Sequence, residues 1–194
     1  MCPGGYVLAS TSDKDTIVVN GMSNNDRGNI NSNSALLVDV RTSDYDKGNV
    51  LDGIDYQEKY EKLAFNASKD YRAPSNLVKE FLNNSIAQSE RSIKSSYPHG
   101  LNMCDLNTVL PDYVVEGLKF GIRGFAKKIQ GFDDPDAILV GIESRSSSPV
   151  RILRDDNMES SFKGIYPMGE GAGYAGGITS AALDGLKVAM RITK

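Results

Sequence analysis

Histidine and cysteine are nearly missing from this sequence. His99 is the single histidine, and the two cysteines, Cys2 and Cys104, stand far apart. A usual zinc site takes several His or Cys ligands, so none is expected. Two distant thiols do not make a disulfide framework in a chain of 194 residues, so reduced thiols and a cytoplasmic setting are expected. His99 lies in a polar stretch with no visible partner, which removes support for a Ser-His-Asp or Cys-His nucleophile. No run approaches the roughly 18 apolar residues of a membrane span, so no membrane association is expected. No more than two Lys or Arg are adjacent, and the net charge is −3. The basic face of a nucleic-acid binder is therefore lacking. Met1-Cys2-Pro3-Gly4-Gly5-Tyr6 has neither a basic region nor an apolar core, so no signal peptide is expected there.

What is present is enough apolar sequence for a core. A domain of similar size buries roughly 70% of its unfolded surface. Residues 5–9 and 16–20 are rich in Val, Ile and Tyr, and the polar 11–15 between them predicts a hairpin. Residues 21–34 read as a loop, and 35–41 (Ala-Leu-Leu-Val-Asp-Val-Arg) as a third, buried strand. A helix is predicted over 55–68 from Tyr56, Tyr60, Leu63 and Ala64. Pro74 and Ser75 predict the start of a second, carrying Leu77, Val78, Phe81 and Leu82. The clearest helical period spans 111–130, with Pro111 suited to the first turn and Gly131 to a C-terminal cap. Strands are predicted within 136–143, at 150–153 and at 164–168, and a last helix over 179–193. Strands, then helices, then strands with a helix predict an α+β fold with a mixed or antiparallel sheet. The helical segment lies at about 54–130.

Residues 169–177 read Gly-Glu-Gly-Ala-Gly-Tyr-Ala-Gly-Gly, in which Gly171, Gly173 and Gly176 fit G-x-G-x-x-G. Such glycines let backbone approach a phosphate, and a following helix points N–H groups and a positive dipole at it. A full dinucleotide fingerprint needs a second strand and an acidic residue about 20 positions on. Only 17 residues follow Gly177, so this is not the first βαβ of a Rossmann domain. A tight strand-to-helix connection for close packing is the other reading.

Longer motifs are more specific. They are Ser146-Ser147-Ser148-Pro149-Val150-Arg151-Ile152, the run from Gly164 through the glycines to Ile178, and Thr179-Ser180-Ala181-Ala182-Leu183-Asp184-Gly185. Met1-Cys2-Pro3-Gly4-Gly5, Gly21-Met22-Ser23, Arg27, Asn33 to Val38, Asp105-Leu106 and Leu110-Pro111 accompany them. Together they resemble the C-terminal portion of the NAD(FAD)-utilising dehydrogenases, within the wider two-dinucleotide-binding-domain flavoproteins. The resemblance implies that an FAD-binding βαβ unit lies upstream of Met1 in a longer protein. It implies residues 1–153 as part of a substrate domain and 154–194 as the last strand, turn and helix of the FAD domain. Glu170 would contact the ribityl or phosphate region of FAD. Gly169, Gly171, Ala172, Gly173, Gly176, Gly177 and Ile178 would line the cofactor with backbone.

Asn24, Arg27 and Asn33 are candidate contacts to a small-molecule substrate, or solvated loop residues bonding their own backbone. Arg151 suits a phosphate or carboxylate, or Glu143. Cys2 is either a redox thiol or a small packed residue. No catalytic residue can be named. The functional expectation is a fragment of an FAD-dependent oxidoreductase, with NAD(P)H as an electron donor and the missing FAD unit as its partner. The alternative is a non-catalytic module that binds a phosphate-bearing small molecule at 169–177. Small residues on the last helix imply a close neighbour, and without one the fragment is expected to self-associate, to refold the helix onto its own sheet, or to be disordered beyond Gly169.

Overall fold

The computed structural model describes residues 3–86 and 94–193. The architecture is α+β, with one sheet of two strands and one of three. The chain divides into two compact units: Met1–Val40 with Glu58–Ser144, and Arg41–Gln57 with Arg145–Lys194.

In the first unit, β1 (Gly5–Ala9) and β2 (Val19–Ser23) form the antiparallel hairpin, with Gly5 opposite Ser23 and Ala9 opposite Val19. The second strand starts three residues later than its apolar pattern suggests. Thr16, Ile17 and Val18 are buried, and bonds to other segments hold them. The Ile17 N–H donates to the Glu61 carbonyl and the Val18 N–H to the Thr11 hydroxyl.

The three-stranded sheet is built around β3 (Ala73–Leu77). It pairs parallel with β4 (Leu101–Met103) and antiparallel with β5 (Ile138–Val140). Pro74 and Ser75 therefore sit inside a central strand, not at a helix start. Proline is tolerated near a strand's beginning, and the Pro74 carbonyl still accepts from the Gly141 N–H. All five β3 residues are buried, so tertiary pairing outweighs the local Pro-Ser signal. The helix begins only afterwards, as the five-residue α2 (Val78–Leu82).

The long helices form close to where periodicity places them. They are α1 (Asp52–Asn66) and α3 (Asp112–Ala126). Pro111 is the N-cap of α3, and the helix ends before Gly131. The buried stripe of α3 is Val115, Lys119 and Ile122, of which Val115 and Ile122 pack with Val78, Phe81 and Leu106 into one core cluster. A second cluster joins Ile17, Val19, Ala64, Ala73, Tyr97, Val109 and Ile142. Each such apolar side chain contributes roughly 1.5–3 kcal/mol by leaving water.

Residues 35–41 form no strand. Their alternation is real, since Leu36 packs on the second cluster while Leu37 is exposed. The opposing surface, however, is helix α3. A Cβ on Gly117 would lie 2.8 Å from a Val38 methyl, so the segment closes on a helix and finds no ladder.

In the second unit, residues 150–153 and 164–168 form no strand, contrary to the strands expected there. One backbone bond, from Ile152 N–H to the Ala172 carbonyl, joins 150–153 to its neighbour. The Pro167 carbonyl accepts from the Arg154 guanidinium at 2.8 Å, and proline has no N–H to offer a ladder. Side chains do here what strand pairing would have done. The unit closes with α4 (Ile178–Ile192).

Candidate functional site

The glycine-rich turn of the second unit is held by its own backbone. The Tyr174 N–H donates to the Gly169 carbonyl at 3.0 Å, and the Gly173 N–H to the Glu170 carbonyl at 2.9 Å. Gly169 and Gly173 have φ of 71° and 80°, the left-handed region in which glycine is preferred. A Cβ on Gly173 would overlap the Val150 carbonyl oxygen. These two glycines are thus required by the fold.

Gly171, Gly176 and Gly177 differ. A Cβ on Gly171 would meet nothing within 4 Å, and on Gly176 only Ser147 Cβ at 3.8 Å and the Ser146 carbonyl oxygen at 4.0 Å, both ordinary contacts. On Gly177 it would meet the Ser180 hydroxyl at ordinary contact distance, 3.5 Å. None of the three has a positive φ. Neither conformation nor packing requires glycine at these positions, and each leaves its backbone open to an approaching group.

Helix α4 follows at once. The Ser180 hydroxyl accepts from the Gly177 N–H and donates to the Gly177 carbonyl, fixing the entry. The inward face of α4 carries Ala181, Asp184, Gly185 and Val188. A Cβ on Gly169 would lie 3.7 Å from Ala181 Cβ, and one on Gly185 the same distance from Met168 sulfur. Small residues thereby let the helix sit on the turn.

Asp184 ties these parts together. Its carboxylate accepts from Arg154 at 2.7 and 2.9 Å and from the Gly169 N–H at 2.9 Å. The Arg154 bonds, then the Gly169 bond, hold its pKa down to about 2. Asp184 in turn pushes the Arg154 guanidinium further up. Arg154 also lies 3.6 Å from the centre of the Tyr174 ring, and the Tyr174 hydroxyl donates to the Ile152 carbonyl. On the outer side, Arg151 donates from Nε to the Gly173 carbonyl at 3.0 Å and sits 5.0 Å from the same ring. An open, polar pocket of about 340 Å³ lies here, lined by Ser147, Ser148, Arg151 and residues 173–176.

Of the cofactor candidates, Glu170, Gly171, Gly176, Gly177 and Ile178 are exposed around the turn, whereas Ala172 is buried. Arg151 is brought to the turn. Asn24, Arg27 and Asn33 belong to the first unit. There the Asn33 amide donates to the Tyr6 and Met22 carbonyls and so braces the hairpin. Cys2 lies outside the described residues. Among the described residues no cluster of His, Cys, Asp or Glu could hold a metal ion, and no helix is long and apolar enough to cross a membrane. Sequence reasoning missed Arg154 and Asp184. Their signal was an acid on a helix face otherwise made of Ala181, Gly185 and Val188, which needs a cation to be covered.

Comparison with known proteins bears on these residues. Residues 1–146 match the family described as FAD-dependent protein, C-terminal domain-like. This chain belongs to that family. As an FAD-dependent protein C-terminal domain, it is 47% identical over 194 residues to an uncharacterized protein of Clostridium beijerinckii. That match takes in 99% of this chain and 36% of the relative, so the chain spans little more than a third of the relative's length. The glycine-rich turn lies beyond the residues matched to the FAD-dependent family and within those shared with the relative.

Proposed function

We propose that this chain is part of a cytoplasmic FAD-dependent dehydrogenase and that residues 169–177 form one wall of its cofactor site. The observation that carries this reading is the trio Gly171, Gly176 and Gly177, whose open Cβ positions the chain itself does not require. A cradle of this kind fits a cofactor laid against the backbone. FAD, when bound, supplies the redox chemistry, with NAD(P)H as the electron donor.

The chain's own residues bind and orient. Gly171, Gly176 and Gly177 offer backbone at close range, with Ile178 at the helix entry. The exposed carboxylate of Glu170 would contact the ribityl or phosphate portion. Asp184 and Arg154 keep the turn in one conformation before anything binds, which lowers the ordering cost of binding. The first unit, with Asn24, Arg27 and Asn33, is read as part of the substrate domain.

The turn is one wall only, so the chain purified alone should be colourless and bind FAD weakly. In the longer parent protein, Gly176→Val should lower flavin content while the melting temperature of the apoprotein is kept. Equal flavin content in the variant and the parent would overturn the reading.

A further inference from the structure

The pocket beside the turn has a chemistry of its own. Its lining contains a cation, two serine hydroxyls, the Tyr174 side chain and glycine backbone, and it contains no carboxylate. Arg154 nearby is neutralised by Asp184 through two hydrogen bonds. Arg151 is therefore the charge that sets the sign of the pocket. Its Nε is anchored on the Gly173 carbonyl, and among the described residues its two terminal nitrogens have no protein partner. Tyr174 flanks the guanidinium and limits its swing. The N–H groups of Gly173, Tyr174 and Gly177 are engaged within the turn. Those of Ala175 and Gly176 have no partner among the described residues. The Ser148 hydroxyl donates to the Val150 carbonyl, while that of Ser147 is exposed at the rim.

We infer that this pocket is an anion subsite that takes a phosphate group of a dinucleotide, with Arg151 as its principal contact. The inference rests on the reading of the turn as a cofactor wall and adds a specific residue and ligand group to it. A guanidinium fork, backbone amides and a hydroxyl converging from separate segments match the several oxygens of a phosphate. Tyr174 is the one ring in the lining and Arg154 already lies 3.6 Å from its centre, so a flat, apolar ring system would find little else to pack against. The phosphate could belong to FAD or to a nicotinamide dinucleotide, and the choice is left to the experiment.

The test is an NMR titration of the whole chain at constant ionic strength, following the amides of Gly173, Tyr174, Ala175 and Gly176. The probes are sodium pyrophosphate, acetate, FAD, riboflavin and NADPH. Saturable shifts with pyrophosphate are expected, weakened at least tenfold in Arg151→Gln and less in Arg151→Lys, which keeps the charge and loses the fork. Ser147→Ala, at an exposed position, should weaken pyrophosphate about threefold by removing one hydrogen bond. It tests the site even if Arg151→Gln fails to fold. FAD should move the same amides, and riboflavin, which lacks phosphate, should not. Shifts that never saturate, that acetate reproduces equally, or that Arg151→Gln and Ser147→Ala both leave unchanged would overturn the subsite. FAD binding equally well to wild type and Arg151→Gln, with pyrophosphate silent, would overturn the subsite and leave the cofactor wall standing. Pyrophosphate and NADPH binding through Arg151, with FAD inert, would support the subsite and overturn the flavin reading.

Discussion

The guanidinium of Arg154 and the carboxylate of Asp184 form a two-bond pair, at 2.7 and 2.9 Å, between residues thirty positions apart. Their side chains are only 10% and 12% exposed. The same carboxylate accepts the Gly169 N–H, so one side chain links helix α4, the segment after residue 150 and the first glycine of the turn. Asp184→Ala would leave the guanidinium and the amide without their acceptor. A loss of about 2 kcal/mol is expected, near the upper range for hydrogen bonds to a charged group once partial solvent screening is allowed for. Urea denaturation monitored by tyrosine fluorescence would measure it, and a change below a few tenths of a kcal/mol would show that the pair contributes nothing.

The pair also predicts an acid dependence. The ordinary value for this carboxyl is 3.8, and in the fold it is held at about 2. The folded form therefore binds its proton later than the unfolded chain does. The stabilisation is fully present above about pH 4 and is lost as pH falls toward 2. Following the Asp184 carboxyl by NMR from pH 5 downward should give a midpoint near 2. A midpoint near 4 would mean that the pair does not persist in solution.

The two kinds of glycine should respond differently. Gly173→Ala forces a left-handed residue and a clash with the Val150 carbonyl, and should cost about 3 kcal/mol of stability. Gly176→Ala has room and an ordinary backbone, and should melt within about 0.5 kcal/mol of the parent. A cofactor at the turn would separate the same two variants in the opposite sense, by flavin content normalised to folded protein. Equal melting of both would show that the close approach at Gly173 does not persist.

Asn33 is expected to act on stability first. Its amide bridges the two strands of the hairpin at 2.9 and 3.1 Å. Asn33→Ala should destabilise the first unit by about 1 kcal/mol. If thermal melting is unchanged while substrate affinity in the longer protein falls, the residue belongs to the substrate site.

Helix α4 carries an apolar stripe that is distinct from its packed face. Leu183, Leu186 and Met190 are each more than half exposed, while Val188 is buried. Single exposed apolar residues are ordinary, but a contiguous row is not. The chain should self-associate at high concentration, and Leu186→Glu should return it to monomer in sedimentation velocity. A wild-type chain that stays monomeric at every concentration would remove this expectation.

Much of this was legible in the sequence because it depends on local period and backbone chemistry. The α+β class, the hairpin, α1, α3 and α4 follow from spacing of apolar residues, which neighbours along the chain settle. The glycines of the turn announced themselves by composition. Tertiary structure decided the rest. Pro74-Ser75 became a central strand because β4 and β5 flank it, and no local signal reports a pairing partner 28 or 65 residues away. Residues 35–41 kept their alternation but met a helix in place of a strand. The equal-looking glycines of 169–177 divided into those the fold requires and those it leaves open only when Val150, Ser147 and α4 were in position. Asp184 has its role only because Arg154 and the Gly169 amide close around it. Each of these turns on which distant group occupies the space beside a residue, and that is a property of the folded chain.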